Sequence, residues 1–249
     1  MAAPWVLGLA TVTTHQAAVD SHGATVAEMF DQIADRYDLM NLVMTWGQEP
    51  RFIRETVTAL KLGPTPTVLD IATGTGDLAL EVTNQHYGAE VHGLDISNEM
   101  LQVARHRPGG ENITWQTGDA MALPYADDTF DAVTHGYLLR NVTDIAATLA
   151  EQYRVLKPGG MMSCLEMSPA PRDVIKPFST AYIKYVVPRL ANTITQNADA
   201  YEYLSRTSRA FHTAERIEYM MQEAGFVATG YRSLMFGTMA IHWAHKPAG

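Results

Sequence analysis

Residues 67–80, TVLDIATGTGDLAL, constrain this chain more than any other stretch. An apolar run carries an acid, Asp70, then enters a turn holding Gly74 and Gly76, then a helical pattern. A strand feeding a glycine turn and a helix is the opening unit of a parallel sheet, with a ligand site at the strand's carboxyl end. The rhythm continues. AEVHGLDIS reads as a strand, EMLQVARHR as a helix, and ITWQTGDA and FDAVTHGYLL as strands. IAATLAEQYRVL reads as a helix stopped by KPGG, and GMMSCLEMS as the next strand. This pattern predicts an α/β, Rossmann-like fold with right-handed crossovers and helices on both faces.

The flanks differ from this core. Val26, Met29, Phe30, Ile33 and Tyr37 recur at helical spacing, and a second helix is expected over 50–61, ending near Gly63-Pro64. Both precede the first strand, so they stand outside its βαβ unit and read as a lid. Pro169-Ala170-Pro171 breaks the rhythm, and 172–212 read as a tyrosine-rich helical insertion over the carboxyl edge of the sheet. RIEYMMQEAGF then reads as a helix with Gly225 at C′, and FVATGYRS and FGTMAIHWAHK as two closing strands. The expected organisation is a flexible extension over 1–22 and a single domain over 23–249. That domain divides into N-terminal helices (23–64), a cofactor-binding core (65–170), a helical acceptor cap (171–213) and a closing helix with strands (214–249).

Composition narrows the function classes. The 249 residues are 47% hydrophobic with a formal net charge of −9, and no dense basic patch is visible, which argues against nucleic acid as a partner. One cysteine, Cys164, allows no disulfide within the chain and no thiolate zinc cage, so no metal is expected. It lies in a buried-strand pattern and reads as a small core residue. The N-terminal MAAPWVLGLATVTTHQ lacks the basic start of a signal peptide and is too short to span a bilayer. The expected setting is the cytoplasm, with at most peripheral membrane contact. Assembly is left open, with a homodimer as one option.

Gly74-Thr75-Gly76-Asp77-Leu78-Ala79 satisfies the dinucleotide pattern G-x-G-x-x-A, a weak signal alone. Its neighbours argue against a phosphate. Asp77 sits in the first helical turn, where a pyrophosphate needs bare amide donors, and Asp70 adds a second negative charge. The turn has no lysine, so it is not a P-loop. S-adenosylmethionine fits better: it has no phosphate, and its sulfonium and ammonium favour acids in the cradle. Asp95 ends the second strand, where a carboxylate can accept ribose hydroxyls. Asp119 ends the third, where a carboxylate can accept the adenine amino group while the next amide reaches the ring. Ile96 and Met100 can pack on the two sides of the adenine, or they are plain core.

These residues carry a resemblance. FDQIADRYDLMN, VLDIATGTGDLAL, LDISNEML, GDAMALPYADDTFDAV, LRNVTD, YRVLKPGG, LEMSPAP and AYEYL are similar to segments of the ubiquinone/menaquinone biosynthesis C-methyltransferase family, a branch of the class I S-adenosylmethionine-dependent methyltransferases. The resemblance covers roughly 25–247. It implies a seven-stranded sheet, six strands parallel and one antiparallel. It also implies cofactor contacts at Asp70, Gly74, Thr75, Gly76, Asp95, Asp119 and Ala120; Ala72, Thr73, Ile96, Met100, Met121 and Gly136 are expected to line the same site. The implied reaction is methyl transfer to a ring carbon ortho to a hydroxyl on a reduced, prenylated quinol. Arg140 and Asn141 stand just beyond the fourth strand. Arg140 either stabilises a phenolate directly or organises a water that takes its proton; arginine itself stays cationic.

The chain departs from that family where the fourth strand ends. A Ser-Phe-Gly-type run is replaced by Thr134-His135-Gly136-Tyr137-Leu138, Thr73 stands where a small residue is usual, and His212 replaces a common proline. His135 and His212 are candidate proton acceptors, with packed core histidines as the alternative. Tyr137, Leu138, Tyr182, Tyr185, Tyr201 and Arg209 are expected to line the pocket of an aromatic small-molecule acceptor. Two other readings stand beside C-methylation: O- or N-methylation of a small natural product, and a cofactor-binding scaffold without methyl transfer.

Overall fold

A computed structural model describes residues 23, 25–34, 37–169 and 211–249. It begins with three helices: α1 over 25–33, α2 over Tyr37–Met44 and α3 over Glu49–Ala59. The 3.6-residue periodicity of 26–37 is thus split. Tyr37 opens α2 rather than closing α1. Pro50 sits in the first turn of α3, where its missing N–H costs nothing and its fixed φ suits a helix start.

The core follows as β1 (Thr67–Ile71), α4 (Asp77–Gln85), β2 (Glu90–Asp95), α5 (Asn98–His106), β3 (Thr114–Thr117), β4 (Phe130–Gly136), α6 (Ile145–Val155) and β5 (Leu156–Met167). After residue 210 come α7 (Ala214–Glu223), β6 (Val227–Leu234) and β7 (Met239–His245). The seven strands form one sheet in the order β3-β2-β1-β4-β5-β7-β6. The pairs among β1 to β5 are parallel, and β7 runs antiparallel to both β5 and β6. KPGG, read as a helix stop, lies inside β5. The pairing of β5 with β4 slips between Phe130 and Ala132 to absorb it.

Alternation along each strand divides the core into two layers. On one face Leu69, Ile71, Val133 and Met162 pack under α6 and α7 with Leu149, Ile217, Met221 and Phe226. On the other, Val68 and Ala132 pack under α3 and α4 with Ile53, Val57, Leu78, Ala79 and Val82. Each fully buried aliphatic side chain contributes roughly 1.5–3 kcal/mol. β1 and β4 are buried on both faces, as expected for inner parallel strands. β1 has β2 on one side and β4 on the other, so successive crossovers leave it in opposite directions. A crevice opens there, at the strands' carboxyl ends.

The helical insertion read over 172–212 lies outside the described residues up to 210, as does the 1–22 extension. Among the described residues, no helix is long and apolar enough to cross a membrane.

Candidate functional site

The glycine turn after β1 floors the crevice. Ala72, Gly74 and Gly76 have φ of 52°, 56° and 90°. A Cβ on Gly76 would meet the Trp115 ring at 2.7 Å, so both its backbone and its space demand glycine. Asp70, fully buried, pins the turn: its Oδ2 accepts from the Thr73 hydroxyl at 2.5 Å and from the Ala79 amide at 3.1 Å. Thr73 therefore earns its place through its hydroxyl. The other oxygen of Asp70, Oδ1, is buried and has no hydrogen-bond partner. Burial pushes this carboxyl up to about 7, against the lowering effect of those two donors.

Asp95 closes the next wall. Its Oδ2 accepts from the Gly74 amide at 2.7 Å and its Oδ1 from the Ser97 amide at 2.8 Å. Burial raises it to about 6 against those backbone donors. Ser97 caps α5 by accepting from the Met100 amide and donates a short hydrogen bond to Asp31 of α1. The lid is thereby tied to the crevice. A second tie is the Thr75 hydroxyl donating to Asp38 of α2 at 2.6 Å.

The crevice holds about 770 Å³ of non-protein space. Its inner end is lined by Asp95, Ile96, Met100, Asp119, Ala120 and Met121, so all the residues expected around an adenosine are together. Asp119 folds back on its own loop, with Oδ1 accepting from the Met121 amide at 2.8 Å. The outer end is bounded by Gly136, Tyr137, Leu138 and Asn141 after β4, and by Tyr37 of α2. Tyr137 is strained at φ 57°, a cost of order 1 kcal/mol or more that turns the backbone sharply at the strand end. The Asn141 amide group holds that turn by donating to the Tyr137 carbonyl at 2.8 Å, and Glu166 of β5 accepts from the Leu139 amide at 2.8 Å. Arg140 is half-buried, and its charge opposes the upward shifts that burial imposes on the Tyr37 and Tyr137 phenols.

Among the expected residues that are described, His135, His212, Arg140 and Gly76 line none of the described cavities. His135 is fully buried on the face shared with Val133, beneath α6 and α7, with Nδ1 3.4 Å from Glu166. Strand alternation sends it away from the cleft-facing Gly136, so it is a packed histidine beside His242 and cannot meet an acceptor there. His212 is exposed, with its ring centroid 5.6 Å from that of Phe211, and lines none of the described cavities. Tyr182, Tyr185, Tyr201 and Arg209 lie outside the described residues.

Arg107, thirty residues on in the chain, pairs with Asp77 at 2.6 Å, so the charge at the start of α4 is largely answered. Asn41 and Glu49 carry no mark in the sequence. They join Tyr37 and Tyr137 in a pocket that continues the crevice past Gly74 and Asp70. Glu49 is only 4% exposed. An acid beside a proline at a helix start reads as a solvated cap, so no local signal marks it.

This lining disfavours a phosphate: the glycine turn is surrounded by Asp70, Asp77 and Asp95, and among the described residues Arg107 is the cation paired with one of them. The unpartnered buried Asp70 Oδ1 beside Gly74 suits a cationic ammonium instead. Sheet order and acid-lined crevice together define a class I S-adenosylmethionine-dependent methyltransferase fold. The ubiE/COQ5 methyltransferase family model matches residues 17–246, and the chain belongs to that family. It is 47% identical over 226 residues to the ubiquinone/menaquinone biosynthesis C-methyltransferase of Desulfotalea psychrophila, covering 91% of this chain and 92% of that protein. It is 42% identical over 238 residues to the demethylmenaquinone methyltransferase of Symbiobacterium thermophilum, covering 89% and 92%. Among solved structures, the [4+2]-cyclase SpnF superposes with a TM-score of 0.64 at 18% identity, over 90% of this chain and 96% of that one, which speaks for the fold alone.

Proposed function

We propose that this chain methylates a ring carbon of a hydroxylated aromatic acceptor of the demethylated quinol type, with S-adenosylmethionine as donor. Bound in the crevice, that cofactor supplies an electrophilic methyl group on a cationic sulfur. Asp70 would take its ammonium, Asp95 its ribose hydroxyls and Asp119 its adenine amino group. The single observation that carries the reading is continuity: the acid-lined donor end opens directly onto a wall of Tyr37, Tyr137 and Leu138. An aromatic ring held there lies against phenols and beside a guanidinium. Arg140 would hold the oxyanion of the acceptor, which pushes electron density onto the ortho carbon. The family relatives named for quinone biosynthesis support the same acceptor class.

The test is direct. Purified protein is incubated with S-adenosylmethionine and either demethylmenaquinol or phosphoethanolamine, and products are weighed by mass spectrometry. A quinone heavier by one methylene unit, with no change in the amine, supports the proposal. Methylation of the amine alone, or of neither, refutes it.

A further inference from the structure

Glu49 and Tyr137 form a pair that the donor site does not need. The Tyr137 hydroxyl donates to Glu49 Oε1 at 3.3 Å, across 88 residues of sequence. Tyr137 is 9% exposed. Both line the pocket between the glycine turn and Gly136, where the donor end meets the acceptor end. Glu49 also lines a second, more open hollow on the outer side, with Asp38, Leu42, Arg54 and Asp77. It is therefore a carboxylate standing between the crevice and a route to solvent. A residue with φ 57° is held strained to keep the phenol there.

We propose that Glu49 is the proton acceptor of the reaction, reached through the Tyr137 hydroxyl. The idea rests on the phenolic acceptor argued above. The acceptor's O–H gives its proton to Tyr137 Oη as Tyr137 gives its own to Glu49 Oε1. The electron-rich ortho carbon then forms the new C–CH₃ bond while the methyl–sulfur bond breaks, its electron pair staying on sulfur. The ring C–H proton leaves to water, and Glu49 returns its proton through Tyr137 to the ring oxygen. The net release is one proton per methyl, the ring C–H proton carried off by water. Arg140, whose charge acts on the Tyr137 phenol, stabilises the oxyanion while the proton is away.

The surroundings set Glu49 to work near neutrality. Burial raises its carboxyl to about 8, helped by Asp77 of α4 and Asp38 of α2, and opposed by hydrogen bonds from Tyr137 and Asn41. The remaining charges of the outer hollow pair among themselves: Arg54 of α3 lies 3.7 Å from Glu81 of α4, and Arg107 binds Asp77 and approaches Asp38 at 3.5 Å.

The test compares wild type, Glu49→Gln and Tyr137→Phe. Turnover of demethylmenaquinol is followed against pH, and S-adenosylhomocysteine affinity is measured by calorimetry. Expected is a fall in kcat of about 100-fold or more in each variant. Glu49→Gln should also lose the rise of kcat with pH below about 8, with homocysteine-product affinity within about twofold of wild type. The proposal is overturned if Glu49→Gln keeps both its kcat and its acid limb. It is equally overturned if product affinity falls in step with kcat, since Glu49 would then be an ammonium ligand. Should Glu49→Gln not fold, Tyr137→Phe decides by the same kcat criterion. A wild type that releases no methylated quinol refutes the acceptor reading itself, and this inference with it.

Discussion

Asp70→Asn separates what a buried carboxylate does for the fold from what it does for the ligand. The substitution keeps the shape, and the new carbonyl can still accept from the Ala79 amide and the Thr73 hydroxyl. It removes a charge that is fully buried with one oxygen unpartnered. A carboxyl raised from 3.8 to about 7 corresponds to at most about 4 kcal/mol of penalty once it is ionised. Water entering the crevice relaxes this to ~2 kcal/mol. Weaker neutral hydrogen bonds return ~1 kcal/mol of the gain. The folded state holds this proton to higher pH than the unfolded chain does. The stabilising contribution is therefore fully present below the unfolded value of 3.8 and is lost as pH rises through about 7. Asp70→Asn should escape that loss. By thermal unfolding without ligand, the variant should be no more stable than wild type at pH 4. At pH 8 it should be more stable by ~1 kcal/mol, or roughly 2–4 °C for a chain of this size. Its affinity for S-adenosylhomocysteine should move the other way, weakening by roughly 30-fold or more through loss of a charge-assisted bond. A stability difference that does not change with pH, or an unchanged affinity, would refute the reasoning.

Three further substitutions follow from the same geometry. Asp95→Ala strips acceptors from the Gly74 and Ser97 amides, and should weaken donor binding about tenfold or more by calorimetry. Arg140→Ala should lower kcat about 100-fold while donor affinity stays within about twofold, because its charge faces the phenols at the acceptor end; equal losses in both would make it structural. Gly76→Ala places a methyl 2.7 Å from Trp115 at a φ of 90°, and should cost ~2 kcal/mol or more in denaturant unfolding.

The sheet and donor half of the crevice were legible because they are local. Strand, glycine turn and strand-end acid lie within a few residues of one another, and Asp70 and Asp95 each close a strand whose apolar pattern is plain. Gly225 was readable as a helix terminator for the same reason, and its φ is 98°. The acceptor half was not, because it is assembled across distance. Glu49 reaches the site only when α3 packs on the sheet and Tyr137 turns back at the end of β4. His135 was misplaced by chemistry overriding geometry. Its titration range suggested catalysis, whereas counting back one residue from Gly136 puts it on the opposite face of the strand. Thr73, a departure from the usual small residue, is explained by its hydroxyl on Asp70.

Transfer of the methyl to carbon distinguishes this chemistry from O- and N-methylation. Incubating the purified protein with S-adenosylmethionine carrying a ¹³C-labelled methyl and with demethylmenaquinol, then taking the NMR spectrum of the product, tests it most directly. A single labelled methyl attached to a ring carbon beside the oxygen is expected. A labelled methyl on oxygen, or no label in the quinone at all, would contradict it.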